Sequence, residues 1–229
     1  MITTLNKYEK DYIETRLDDQ QDSTGFAFNK KLMILESNWK PDEVFNDISV
    51  FPFLSNISTI LKDQPPITVG HRHFDSLRGL NFYLKFPEGQ IWNDSESWGT
   101  QVFYVGTHGS TATIQTSMDV IRKDGLMNAF KGFDNWPNII FLGGCGIFSG
   151  KKGDAFGYDL LASSGTRALL GYKSPDVDFL TSIIIEFLFL SQFYCIKGRN
   201  PFDCLQEIFD SIMDSFVPAQ EIGFTMFLQ

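Results

Sequence analysis

Residues 101–109 read QVFYVGTHG, and residues 138–146 read NIIFLGGCG. Each segment is a continuous apolar run that ends in glycine and one reactive side chain, which is His108 in the first segment and Cys145 in the second. Continuous apolar runs of this length are typical of strands that are buried on both faces of a parallel sheet. The two segments therefore predict two core strands whose carboxyl ends carry an imidazole and a thiol.

The rest of the chain alternates short apolar runs with longer amphipathic stretches. The predicted strands are residues 31–36, 67–74, 101–105, 138–142 and 167–172. The predicted helices are residues 45–61, 118–130, 158–164, 179–197 and 201–216, and residues 76–86 fit either a short helix or a strand. This alternation predicts an α/β fold, a three-layer αβα sandwich with a mainly parallel sheet. We expect residues 1–30 to form a polar lead-in and residues 31–229 to form a single domain.

The composition narrows the class of protein. The 229 residues are 43% hydrophobic and 21% charged, which is a globular profile. The net charge of −9 disfavours binding to nucleic acid or to an anionic membrane surface. Only three cysteines are present, so the chain has no disulfide framework, and we expect a reducing, cytoplasmic location.

The longest apolar stretch, residues 179–196, carries Glu186 at its centre and Gln192 near its end. A central carboxylate is costly in lipid, so a buried helix of a soluble protein is favoured over a membrane span.

The positions of His108 and Cys145 predict a catalytic pair. If their strands are parallel neighbours, the carboxyl ends lie about 4.8 Å apart and the two side chains face each other. An imidazole beside a thiol lowers the pKa of the thiol or removes its proton during attack. The backbone amides of Gly109 and Cys145 are then candidates for binding a developing oxyanion.

Chain order excludes several other sites. His71, His73 and His108 all precede Cys145, whereas α/β-hydrolases and papain-like enzymes need a histidine after the nucleophile. The segment GGCGIFSGKK, residues 143–152, does not match a phosphate-binding loop, and it misses a dinucleotide-binding fingerprint at Ser149.

The sequence resembles the caspase-like cysteine peptidases, a group that includes caspases, gingipains, separases and bacterial CHAT domains. The resemblance rests on YVGTHGS and IIFLGGCGIF, on residues 125–133 between them, and on residues 162–177 after them, and it covers roughly residues 31–186. It is most similar to CHAT-like and other bacterial caspase-like proteins, although Gly146 stands where a polar or acidic residue is common. It implies that His108 is the general base, Cys145 the nucleophile and a peptide bond the target, and that the setting is a bacterial stress or defence pathway.

The substrate pocket has four candidate residues. Asp176 and Asp178 follow the strand after Cys145 and are placed to face a Lys or Arg side chain, while Asp75 and Arg78 follow the second predicted strand. We expect a protein or peptide substrate and a regulatory protein partner. Two alternatives remain open: a catalytically silent caspase-like interaction module, and a thiol hydrolase that acts on small esters or amides.

We predict no cofactor and no metal. His71 and His73 are two residues apart and would lie on one face of a predicted strand. No nearby cysteine completes a zinc site, which usually needs four ligands.

Overall fold

The computed structural model describes residues 30–37, 50, 53–54, 56, 67–85, 102–131, 139–196 and 199–229. The strands in this part of the chain are β1 (Lys30–Ser37), β2 (Ile67–Phe74), β3 (Val102–Gly106), β4 (His108–Ser110), β5 (Thr113–Gln115), β6 (Val120–Arg122), β7 (Ile139–Leu142), β8 (Ala168–Tyr172) and β9 (Phe224–Leu228). The helices there are α1 (Leu77–Lys85), α2 (Lys123–Phe130), α3 (Gly150–Ser164), α4 (Phe179–Cys195), α5 (Leu205–Ser215) and α6 (Val217–Glu221), and a 3₁₀ turn, Pro201–Cys204, precedes α5.

The main sheet has six strands in the order β2-β1-β3-β7-β8-β9. The first five run parallel, and β9 pairs antiparallel with β8 at one edge. Parallel strands need crossover connections, and these place every carboxyl end at the same edge of the sheet. The predicted fold class, a mainly parallel sheet between helical layers, is confirmed.

Two hydrophobic cores lie on opposite faces of this sheet. Leu32, Ile34 and Tyr104 face one core, where α4, α5 and α6 pack. Met33, Leu35 and other alternate strand residues face the second core, which is covered by α1, α2 and α3. Because side chains alternate between the faces of a strand, burial on both faces requires an uninterrupted apolar run. This explains the pattern from which the strands were predicted.

A second, smaller sheet lies between β3 and α2. Its three short strands are antiparallel in the order β4-β5-β6, and His108 is its first residue. The helix predicted over residues 118–130 is therefore wrong in its first part, since Val120–Arg122 pairs with β5 and the helix begins at Lys123. Apolar residues at helical spacing did not distinguish a three-residue strand from the helix that follows it.

Helix α3 is longer than predicted. It begins at Gly150, eight residues before the predicted start, because its first half contains glycines that weaken the sequence signal. Gly157 is required there, since a Cβ atom would lie 2.5 Å from the Phe227 ring of β9.

Residues 76–86, which fitted either element, form α1. The helix predicted over residues 45–61 lies outside the described residues except at positions 50, 53, 54 and 56, and the lead-in lies outside them except at Lys30. Among the described helices, none combines the length and the apolarity needed to cross a bilayer.

Candidate active site

His108 and Cys145 follow neighbouring strands of the main sheet. Strands β3 and β7 are paired in parallel with Val105 opposite Leu142. His108 comes two residues after the end of β3, and Cys145 comes three residues after the end of β7. The imidazole and the thiol are therefore carried by adjacent segments at the carboxyl edge.

The two segments are in direct backbone contact. A Cβ atom at Gly109 would lie 2.6 Å from Ile147 Cγ1 and 2.7 Å from the carbonyl oxygen of Cys145. A Cβ atom at Gly144 would lie 3.1 Å from the Cα of Gly109. Real Cβ atoms do not approach other atoms so closely, so glycine at these positions allows the segment after β3 to pack against the segment after β7.

Thr107 holds the histidine segment in place. Its Oγ1 is buried and lies 2.7 Å from the carbonyl oxygen of Gln115 and 3.1 Å from that of His108, and both oxygens accept from it. Ser37, the last residue of β1, donates to the same Oγ1 at 3.0 Å. The half-buried imidazole thus follows a residue that is fixed by three strands.

The Cys145 thiol is half-buried and donates a weak hydrogen bond to the carbonyl oxygen of Val177, with the sulfur 3.7 Å away. Burial raises the pKa of this thiol, backbone hydrogen bonds at Val177 and at Cys145 itself act in the opposite direction, and the charge of the Asp176 carboxylate raises it further. The thiol is therefore neutral near pH 7. Nucleophilic attack by this sulfur requires a base that removes its proton during the reaction.

The chain turns sharply after the cysteine. Gly146 has φ +58°, a backbone conformation that favours glycine, and a Cβ atom there would lie 3.2 Å from the Cα of Pro175. The Phe148 amide then donates to the carbonyl oxygen of Tyr172 at 3.1 Å. These contacts pack the cysteine turn against the loop that follows β8.

The loop after β8 also carries two of the predicted pocket residues. Asp176 is exposed, and it directly precedes Val177, whose carbonyl oxygen accepts from the Cys145 thiol, so it lies on the same side of the molecule as the thiol. Asp178 is the N-cap of α4, where its Oδ1 accepts from the Thr181 amide at 2.9 Å. Hydrogen bonds to Thr181 hold the pKa of Asp178 below its ordinary value, so this side chain already has a structural task.

The other two predicted pocket residues lie at the start of α1. The carboxylate of Asp75 accepts from Ser76 Oγ at 2.9 Å, and its carbonyl oxygen accepts from the Met118 amide at 3.1 Å. Arg78 is exposed on the first turn of the helix. The Asp75 carbonyl thus links the end of β2 to the turn between β5 and β6. A pocket role for Asp75 or Arg78 stays a prediction.

A buried carboxyl group lies near the glycine-containing turns that carry His108 and Cys145, and its role was not predicted from the sequence. Glu186 of α4 is completely buried, and Tyr172 donates to its Oε1 at 3.0 Å. Burial raises the pKa of Glu186 to about 8, although Tyr172 and Tyr104 lower it. Its Oε2 has no hydrogen-bond partner among the described residues. The carboxyl group is therefore protonated near neutral pH.

The sequence did contain a signal for Glu186, because a single acid in a long apolar helix is unusual. What it did not indicate was the partners. They come from β3 and β8, which lie on either side of β7, and Tyr104 lies so close to Gly143 that any side chain there would collide with its ring.

A cleft of about 470 Å³ lies away from this edge, between the end of α4 and the start of α5. It is lined by Cys195, Arg199, Cys204 and Glu207 among others. Helix α4 begins after the carboxyl end of β8 and runs back along the sheet, so the cleft lies at the opposite edge from His108 and Cys145. We do not assign it to the site.

The chain was compared with family models, with curated proteins and with solved structures, and only solved structures match it. No family model matches the chain, and no curated protein is similar to it. Among solved structures, the chain is similar to a secreted C11 cysteine protease from Bacteroides thetaiotaomicron called iotapain, with 12% identity and a TM-score of 0.40. The match covers 76% of this chain and 64% of that protein, so the chain spans about two thirds of its length.

Proposed function

We propose that this protein is a cysteine endopeptidase of caspase-like type that uses Cys145 as nucleophile and His108 as general base. The observation that carries the proposal is the backbone contact between Gly109 and the Gly144–Cys145 segment at the carboxyl edge of the sheet. This contact brings an imidazole-bearing segment and a thiol-bearing segment together at the edge where α/β proteins bind ligands.

The reaction begins with a neutral thiol, because burial raises the pKa of Cys145. His108 accepts the thiol proton as the sulfur forms a bond to the peptide carbonyl carbon. The tetrahedral intermediate collapses, the C–N bond breaks, and the amine leaves with the proton from His108. Water then attacks the thioester, the C–S bond breaks, and the acid product and the free thiol are released.

The amides of Gly109 and Cys145 are our candidates for stabilising the oxyanion. Two glycines leave room for an approaching substrate backbone. Gly109 has no side chain, and neither has Gly146, which follows the cysteine. Removing one such donor commonly costs about 3 kcal/mol of transition-state stabilisation.

For the substrate pocket we favour Asp176 over Asp178. The Asp176 carboxylate is exposed and acts on the thiol, whereas the Asp178 carboxylate caps α4. An exposed acid near the nucleophile favours a Lys or Arg side chain in the substrate. Asp75 and Arg78 remain more distant candidates.

We place the activity in the cytoplasm, on protein or peptide substrates and under the control of a protein partner. The motifs YVGTHGS and IIFLGGCGIF support a CHAT-like variant and a bacterial stress or defence pathway. The absence of a disulfide framework supports a reducing compartment.

One observation favours a second candidate function, a catalytically silent interaction module. The Cys145 thiol donates to Val177, and its pKa is raised rather than lowered, which is the opposite of what activates a resting cysteine. In a silent module, the glycine-containing turns that carry His108 and Cys145 would serve only to pack the carboxyl edge of the main sheet.

Cleavage and labelling together separate these functions. The parent, Cys145→Ala and His108→Ala are incubated with a mixed peptide library and with a thiol-reactive peptidyl ketone, and Cys195→Ala serves as the matched cysteine control. We expect the parent and Cys195→Ala to cleave peptides and to be labelled by the probe. We expect Cys145→Ala and His108→Ala to do neither. Cleavage that survives Cys145→Ala would refute the peptidase. Labelling of Cys145 that does not depend on His108, without cleavage, would support the silent module.

A library of small esters and amides, tested in parallel, detects the remaining alternative, a thiol hydrolase that does not act on peptides.

A further inference from the structure

A cluster of three metal-ligating side chains lies at the carboxyl ends of β1 and β2, outside the proposed dyad. Glu36 of β1 and His71 and His73 of β2 each offer one ligand atom, and these atoms lie within 4.8 Å of one another. We propose that this cluster is a binding site for a divalent transition-metal ion, with Zn²⁺ the favoured ion. The proposal is independent of the proposed peptidase activity.

Strand register explains why the three side chains meet. Glu36 is paired directly with His73, and Ile34 is paired with His71, so all three groups project from the same face of two adjacent parallel strands. The sequence shows the histidine pair and does not indicate a third ligand, because Glu36 is more than thirty positions away along the chain. The sheet supplies the third ligand.

The cluster is fixed before any ion arrives. Glu36 Oε1 accepts from the Val50 amide at 2.7 Å, which leaves Oε2 directed at His71 Nε2, 2.6 Å away. The side chains of Glu36 and His71 are only 4% and 10% exposed. The rings of His71 and His73 meet edge to face with their centroids 4.6 Å apart. Little ordering is needed to form the site, which favours affinity.

The Glu36–His71 pair alone does not account for the third residue. His73 Nδ1 is buried and has no hydrogen-bond partner among the described residues. A buried polar atom without a partner costs free energy, and a metal ion would remove that cost.

The donor set selects the ion. Two imidazoles and one carboxylate suit Zn²⁺ and similar transition metals, whereas Ca²⁺ and Mg²⁺ prefer all-oxygen sites. At Zn²⁺ bond lengths, ligand atoms in a tetrahedral site are about 3.3 Å apart. Glu36 Oε2 and His71 Nε2, 2.6 Å apart, therefore need to separate by less than about 1 Å, and ligand atoms that lie up to 4.8 Å apart need to approach by up to about 1.5 Å. Three protein ligands leave a fourth position for water.

The site also adjoins the segment that leads to His108. Glu36 is paired with Gly106 of β3, and a Cβ atom at Gly106 would lie 3.3 Å from Glu36 Cγ. A bound ion would join β1 to β2 beside the strand that carries the histidine turn. We therefore expect metal binding to stabilise this edge of the sheet.

The test is a titration of the chelator-treated full chain with ZnCl₂, followed by isothermal calorimetry and thermal unfolding, with CoCl₂ as a spectroscopic probe. We expect one Zn²⁺ per chain, a higher unfolding temperature with Zn²⁺, and a visible Co²⁺ spectrum of tetrahedral type. His73→Gln and Glu36→Gln should each weaken Zn²⁺ binding at least about tenfold, because loss even of a residue that only supports a ligand costs that much. Glu36→Gln keeps an acceptor for the Val50 amide, so it serves if His73→Gln fails to fold.

His108→Ala and Cys145→Ser are the matched controls, since a cysteine and a histidine side by side also attract Zn²⁺. Both controls should bind Zn²⁺ like the parent. Binding that is lost in these controls and kept in His73→Gln and Glu36→Gln would move the ion to the proposed dyad and overturn the inference. Absence of saturable binding by the folded parent would overturn it as well.

Discussion

Replacing Glu186 by Gln should make the protein more stable at alkaline pH. The carboxyl group of Glu186 is completely buried, and its pKa is raised from 4.5 to about 8. Gln has the shape of the protonated acid and keeps an oxygen that accepts from Tyr172. The variant therefore retains the neutral form of the site at every pH.

The size of the effect follows from proton linkage. Between pH 4.5 and about 8 the folded parent keeps a proton on Glu186 that the unfolded chain has released. The free energy of unfolding of the parent then falls by up to about 1.4 kcal/mol per pH unit, and that of the variant lacks this contribution. From pH 5 to pH 8 the advantage of the variant should grow by roughly 3 kcal/mol.

Urea unfolding followed by circular dichroism at pH 5, 6, 7 and 8 measures this difference. Other titrating groups are common to the two proteins, so they cancel when the parent is subtracted from the variant. A difference that stays constant across the range would refute a raised pKa for Glu186. A difference that grows as the pH falls would mean that the carboxylate is stabilised as an anion.

Three further predictions concern the turns at the carboxyl edge. Gly109→Ala should lower kcat/KM on a cleaved peptide at least about a hundredfold while costing about 1–3 kcal/mol of stability, because its Cβ would collide with Ile147 and with the Cys145 carbonyl. Gly150→Ala is the control for lost stability alone, because its φ of +61° strains the backbone while its Cβ would meet nothing within 4 Å, and equal kcat/KM in the two variants would contradict the reasoning. Alkylation of Cys145 by iodoacetamide, followed by mass spectrometry in a His108→Ala background, should still be increasing above pH 9, because the pKa of the thiol is raised from 9.0; a plateau near pH 7 would contradict this. Thr107→Val should reduce kcat more than it changes KM, because it removes the hydroxyl that fixes the histidine turn, and a change in KM alone would argue against that role.

Much of the fold could be predicted because burial on both faces leaves a strong sequence signal. The runs VFYVG and IIFL are typical of strands that are buried on both faces of a sheet, and they form β3 and β7. The strand β9 was not predicted, because it is a five-residue edge strand in which only Phe224 and Phe227 are buried, and such a strand gives a weaker pattern. The small sheet β4-β5-β6 was missed because three-residue strands are set by tertiary contacts such as the Ala112 amide to the Ile147 carbonyl, 2.9 Å apart.

The candidate site, like the fold, could be predicted from the sequence only in part. The two apolar runs predicted that His108 and Cys145 each follow a core strand, while the pairing of those strands as parallel neighbours was only assumed and is seen in the structure. The burial of the thiol and the hydrogen bond to Val177 were not predictable, because they depend on how the loop after β8 folds back. Glu36, His71 and His73 illustrate the point most clearly, since only strand register, which the sequence does not contain, brings them together.

The histidine lies in a different sheet from the strand that leads to the cysteine. Cys145 follows a central strand of the six-stranded sheet, whereas His108 opens a three-stranded one whose members are three residues each. We expect so small a unit to exchange its amide hydrogens by local opening, at a lower free energy than the strands of the main core. A partner that orders this small sheet would therefore fix the proposed base, His108, without reshaping the main sheet that leads to Cys145.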